Sequence, residues 1–266
     1  MKQPTPLLLL ILLTMSNPLS AQTPTKSEVV PLRGKTLYYE KYGQGDPLIF
    51  LHGYSLSSKS WRPYVADFAT RYEVYLIDLT GHGQSAPFKE VLSFPSVTKD
   101  LDALLDYLEL DRIKAIGFSF GGDVLYQLAL LTPTRIESMI TIGAVGSWDV
   151  NEFPQYQAGF TFENRHNFPW LADAHESDAQ TKALMEQFVN YTVHLTAEQL
   201  QRITPEVLIM MGDDDEGMDL AEVARVRKHL PKSDLWVLPN VSHGAHEGES
   251  KEEFVIKAHN FLSKVN

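Results

Sequence analysis

One serine, a run of aspartates and a pair of histidines are spaced along this chain as acyl-transfer chemistry would require. Ser119 stands in Gly117-Phe118-Ser119-Phe120-Gly121. A serine hydroxyl is a poor nucleophile until a neutral imidazole accepts its proton, and the imidazole needs a carboxylate to hold its tautomer and orientation. When the serine lies on a Gly-x-Ser-x-Gly elbow, the three follow along the chain in the order serine, acid, histidine. Downstream of Ser119 come Asp213-Asp214-Asp215-Glu216, and after them His243 and His246.

These groups converge only if folded elements place them at one edge of a core. Residues 112–116 read as a short buried strand and 122–131 as an apolar helix, so Ser119 sits on the turn between them. Glycines at 117 and 121 leave room for a close strand–helix crossing. Upstream, residues 36–42 read as an edge strand and 47–51 as a buried one running into His52-Gly53-Tyr54-Ser55. A helix starting near Ser58 or Ser60, a strand at 72–79 and an amphipathic helix at 96–110 follow. A strand at 138–145 closes this half.

From 146 to 204 the alternation stops. Trp148, Phe153, Phe168 and Trp170 are scattered among polar residues, with helical runs near 180–193 and 197–203, which reads as an inserted helical cap. The pattern then resumes with a strand at 206–211, a helix at 219–230, a strand at 234–238 and a last helix at 251–264. Strands alternating with helices imply a mostly parallel sheet covered on both faces, with ligands at the carboxyl ends of the strands.

His52-Gly53 after a strand, the Gly81-His82-Gly83-Gln84-Ser85 turn, the Ser119 pentapeptide, Gly-x-x-Asp at 212–215 and His243-Gly244-Ala245-His246-Glu247 together resemble the α/β-hydrolase superfamily. The resemblance implies a three-layer sandwich, an eight-stranded, mostly parallel sheet with helices on both faces and a helical cap over it. It also implies a catalytic triad of Ser119, Asp215 and His243. Asp213 and Asp214 are fallbacks for the acid, and Asp149 a distant one. His243 lies nearest the strand end, and His246 is its rival. The backbone N–H groups of Tyr54 and Phe120 are the expected oxyanion donors. His52 and the Gly81–Ser85 turn are expected to be structural. Phe118, Trp148 and Trp170 are candidates for the substrate pocket. Ser119, where dehalogenases and epoxide hydrolases of this kind carry an aspartate, disfavours both. The expected activity is that of a carboxylesterase on small or medium esters. A carbon–carbon bond hydrolase, an aminopeptidase-like amidase and a binding protein that retains the triad are the alternatives.

Composition sets the outer limits. A net charge of -11 argues against a nucleic-acid partner, and a chain with no cysteine has no thiolate chemistry, disulfide or cysteine-based metal site. The sequence carries no dinucleotide, phosphate-loop or zinc signature, so neither cofactor nor metal is expected and the partner is a small-molecule substrate. Residues 1–21 pair Lys2 with the apolar run 7–13 and end at Leu19-Ser20-Ala21, the pattern of a signal peptide cleaved after Ala21. A secreted or periplasmic protein of residues 22–266, free of the membrane after cleavage, is the expectation.

Overall fold

A computed structural model describes residues 23–264, so the expected signal peptide lies outside the described residues. Ten strands are described: β1 (Lys26–Leu32), β2 (Lys35–Gly43), β3 (Asp46–Leu51), β4 (Tyr72–Asp78), β5 (Ile113–Phe118), β6 (Ile136–Ile142), β7 (Ser147–Asp149), β8 (Thr192–His194), β9 (Glu206–Gly212) and β10 (Ser233–Leu238). Eight of them form one sheet in the order β1-β2-β4-β3-β5-β6-β9-β10. The pairs β1/β2 and β2/β4 are antiparallel and the other five pairs are parallel.

The central strands are buried along most of their length because helices cover both faces. On one side lie α2 (Phe94–Tyr107), α3 (Phe120–Leu131) and α8 (Leu220–His229), which pack with Ile49, Ala115 and Ile209 into a single core. On the other lie α1 (Val65–Phe68) and α9 (Lys251–Leu262), where Trp61, Phe68 and Phe254 meet Phe50 and Ile116. The α2 stripe of Leu101, Leu104 and Leu105 is fully buried, and each such side chain contributes roughly 1.5–3 kcal/mol relative to exposure. The edge strand β1 escapes sequence pattern reading: Lys26, Glu28 and Pro31 dilute its alternation, which an edge tolerates.

The cap between β6 and β9 departs from the all-helical expectation. It holds the short helices α4 (Pro154–Gly159), α5 (Trp170–Ala174), α6 (Asp178–Gln187) and α7 (Ala197–Gln201), together with a two-stranded antiparallel ribbon of β7 and β8. The helix expected over 180–193 ends at Gln187. Beyond it Tyr191, Val193 and Leu195 are buried while Thr192 and His194 are exposed, which is the period of a strand and not of a helix.

Candidate active site

Ser119 occupies the junction of β5 and α3 with φ 50° and ψ -117°. A side chain held at positive φ in this way costs about 1–3 kcal/mol and persists only where the surroundings over-determine it. Here they do. Ser119 N–H donates to Ile142 O at 2.7 Å, Asp123 N–H to Ser119 O at 3.0 Å and Gly121 N–H to His52 O at 3.1 Å. A Cβ on Gly117 would stand 2.7 Å from the Gly121 carbonyl, and one on Gly121 2.5 Å from Leu51 O. Strand and helix can cross this closely only because both positions lack side chains.

With the flanking amides of Ser119 and Gly121 taken, the Phe120 N–H at the start of α3 is left for a ligand. The backbone of Gly53 runs beside it: a methyl there would lie 2.9 Å from the Phe118 ring and 3.4 Å from Ser119 Cβ. The next residue, Tyr54, lines the same cavity as Ser119. His52 is structural, as expected. Its Nδ1 meets Gly53 O at 2.8 Å and its Nε2 accepts Leu79 N–H at 3.1 Å. Asp78 holds the following turn by accepting Ser58 N–H at 2.6 Å and Gln84 N–H at 2.8 Å.

Of the candidate acids, Asp215 is the one beside a histidine. His243 Nδ1 and Asp215 Oδ2 are 2.7 Å apart, with the Asp215 side chain 1% exposed and that of His243 43% exposed. Asp215 Oδ1 accepts Gly217 N–H at 3.0 Å, which fixes the carboxylate plane. An ionised carboxylate only accepts, so His243 donates through Nδ1 and keeps the Nε2 lone pair for a proton acceptor's role. Asp213 instead accepts Asn240 N–H at 2.6 Å, tying the loops after β9 and β10 together. Asp214 is exposed, and Asp149 caps a turn by accepting Asn151 N–H at 2.9 Å. His246 is buried against Trp61, ring centroids 4.7 Å apart, and burial lowers its pKa to about 3.

Ser119, His243 and Asp215 line one cavity of about 520 Å³, together with Tyr54 and a largely aromatic wall from the cap. Trp148 and Trp170 are part of that wall. Phe118 is not, which corrects the expectation for it. Successive strand residues face opposite sides of a sheet, so Phe118 shares the side of Ile116 and packs behind His243 and His246, with centroids 4.9 and 4.8 Å away. Among the described residues no lysine or arginine lines the cavity, while Asp214 and Glu216 do.

Three residues of the site had no motif to announce them. Asp123, one helical turn after Ser119, is buried and accepts Gly146 N–H at 2.9 Å and the Tyr191 hydroxyl at 2.8 Å. Burial raises its pKa to about 7, against the pull of those two donors. His175, at the end of α5, accepts Gly83 N–H through Nδ1 at 3.1 Å and meets Ser55 O through Nε2 at 3.1 Å. The available signal was a lone charge in the otherwise uncharged helix 120–131.

The family model described as the alpha/beta hydrolase fold matches residues 46–186, more than half of the chain. The chain belongs to the α/β-hydrolase fold family. Among curated relatives of the chain is the pimeloyl-[acyl-carrier protein] methyl ester esterase of Aeromonas hydrophila subsp. hydrophila, 38% identical over 106 residues, which are 40% of each chain. The protein of the same name from Yersinia enterocolitica is 26% identical over 215 residues, 76% of each chain. The first of these alignments thus spans well under half the length of the relative it matches. The solved structure of naproxen esterase (carboxylesterase NP) from Bacillus subtilis superposes with a TM-score of 0.74 at 21% identity, covering 92% of this chain and 94% of that one. At that identity the likeness concerns the fold.

Proposed function

We propose that this α/β hydrolase is a serine carboxylesterase acting on small or medium esters through an acyl-enzyme. The observation that carries the reading is the 2.7 Å His243–Asp215 pair in the same cavity as Ser119, whose elbow leaves the Phe120 amide unengaged. In this reading Ser119 Oγ attacks the ester carbonyl while His243 Nε2 takes its proton. Asp215 stabilises the resulting imidazolium, and the amides of Tyr54 and Phe120 hold the oxyanion. His243 then returns the proton to the departing alcohol. Water, deprotonated by the same imidazole, cleaves the acyl-enzyme and frees the acid.

The relatives named as methyl ester esterases support the ester as the bond. The aromatic wall and the lack of a lining cation favour an uncharged substrate, because a buried carboxylate would find no partner there. Export through residues 1–21 belongs to the same proposal, and a mature chain beginning at Gln22 would support it. The decisive experiment compares wild type with Ser119→Ala on short-chain nitrophenyl esters and on a fluorophosphonate. Turnover and labelling in wild type, and neither in the variant at unchanged melting temperature, is the expected result. Ester turnover retained by Ser119→Ala would refute the reading.

A further inference from the structure

The turn that follows β3 contains a strained residue that the cap grips from two sides. Leu56 N–H donates to Gly53 O at 3.1 Å, which closes a β-turn over residues 53–56, and Ser55 at its third position has φ 68°. A turn of this kind needs positive φ there, and glycine is the residue that takes it without cost. Serine does not, so something outside the turn must hold it. Two side chains of the cap do. Trp170 Nε1–H donates to Ser55 Oγ at 3.1 Å. His175 accepts Gly83 N–H through Nδ1, which fixes its tautomer, and its Nε2–H donates to Ser55 O at 3.1 Å.

The indole N–H is the informative half of this grip. As part of the cavity wall Trp170 needs only its ring, which packs edge-on against Phe168 with centroids 5.4 Å apart, and a phenylalanine would furnish one. The N–H instead reaches across 115 residues to the turn that carries Tyr54, between Gly53 and Ser55. The backbone there stands close to the nucleophile, since a methyl on Gly53 would lie 3.4 Å from Ser119 Cβ. Rotation about Ser55 φ turns the planar Tyr54–Ser55 peptide and moves the Tyr54 backbone with it. One hydrogen bond and the strain of a left-handed serine are of similar size, so losing the indole bond is enough to loosen the bend.

Resting on the reading of Ser119 as the nucleophile and the Tyr54 amide as an oxyanion donor, we propose that Trp170 is a positioning residue whose indole N–H, together with His175, holds Ser55 in the left-handed bend that presents Tyr54 to the transition state. The cap is thereby tied to the chemical step as well as to the shape of the cavity. The Trp170 ring forms wall and its N–H sets the rate, two roles that substitutions can separate. A side chain that acts only through the bend becomes dispensable once residue 55 adopts the bend unaided.

The test is kcat and KM for a short nitrophenyl ester in wild type, Ser119→Ala, Trp170→Phe, Ser55→Ala, Ser55→Gly and the Trp170→Phe/Ser55→Gly double variant. Trp170→Phe keeps a ring in the wall and is expected to lower kcat roughly threefold to tenfold, the range one hydrogen bond supplies, with KM changed less than kcat. Ser55→Ala removes the same bond from its other end and keeps the strain, so a similar fall in kcat is expected. Ser55→Gly also lacks the hydroxyl but takes positive φ freely, so its kcat is expected to exceed that of Ser55→Ala. Adding Ser55→Gly to Trp170→Phe is expected to recover most of the loss, which a residue that only lines the cavity would not allow. Should Trp170→Phe not fold, the order of Ser55→Gly above Ser55→Ala decides alone. Ser119-dependent turnover whose kcat Trp170→Phe leaves unchanged, or lowers without recovery by Ser55→Gly, overturns this inference and leaves the nucleophile intact. A kcat for Ser55→Gly at or below that of Ser55→Ala overturns it too, and turnover absent from wild type or retained by Ser119→Ala overturns both readings.

Discussion

Acid is expected to weaken the docking of the cap through one side chain, His175, and the size of the effect follows from its contacts. Its Nδ1 accepts Gly83 N–H, so the ring must be neutral at that nitrogen, and its Nε2–H donates to Ser55 O. A proton added to Nδ1 would face an N–H and break the first bond. Burial, with Lys59 and His52 nearby, lowers its pKa from 6.5 to about 4. The folded value is the depressed one, so the stabilisation is whole above pH 6.5 and is lost as pH falls toward 4. A fall of that size costs about 3 kcal/mol. The wild-type curve alone would mislead, since burial raises Asp78 to about 6 and Asp123 to about 7, and these acids regain stability on acidification. The difference between wild type and His175→Gln isolates the one ring. Urea unfolding followed by tryptophan fluorescence from about pH 7 to about pH 4 is the assay. The advantage of wild type over the variant is expected to shrink by about 3 kcal/mol across that window. A difference that stays constant would refute both the tautomer and the linkage.

Three further outcomes follow from the geometry. Asp215→Asn keeps the shape of the pair but presents an amide where His243 Nδ1–H needs an acceptor of charge, so kcat on a nitrophenyl ester is expected to fall roughly 10³–10⁴-fold; a loss under tenfold would make Asp215 dispensable. Gly121→Ala places a methyl about 2.5 Å from Leu51 O, which neither strand nor helix can yield to cheaply. A drop of about 1–3 kcal/mol or more in urea-derived stability is expected, and a wild-type value would contradict the crossing. Ester pairs differing only by a terminal carboxylate on the acyl chain are expected to favour the uncharged member in kcat/KM, because the cavity offers Asp214 and Glu216 and no cation. Equal values would remove charge from the account of specificity.

The core was legible because its signals are local. Buried parallel strands are continuous apolar runs, and those at residues 47–51, 72–79 and 206–211 were visible within a residue or so of their observed ends. The elbow was legible because close crossing demands glycine at 117 and 121, and the distances to Gly121 and Leu51 show why. Choosing Asp215 among three neighbouring aspartates needed the family pattern, since nothing in composition separates them. The structure separates them by partner, with Asp213 on the Asn240 amide and Asp215 on His243. Phe118 misled for a physical reason: nearness to the nucleophile in sequence is not nearness in space when strand residues alternate faces.

The cap was the least legible part, and its energetics explain this. Its helices are five to ten residues long, too short to be stable alone, so tertiary contacts and not propensity determine where they begin and end. The contacts that do so are long-range and polar. Tyr54 OH donates to Leu184 O at 2.7 Å, Gln180 Nε2 to Ser85 O at 3.0 Å and Tyr191 OH to Asp123 at 2.8 Å, across 130, 95 and 68 residues. No window of sequence contains both ends of such a bond. Each bond joins a cap residue to a core loop or to the helix that follows Ser119. Substitutions in the cap are therefore expected to act on its seating over the core as well as on substrate fit, and Tyr191, which lines the cavity and is bonded to Asp123 of α3, is the position where the two effects meet.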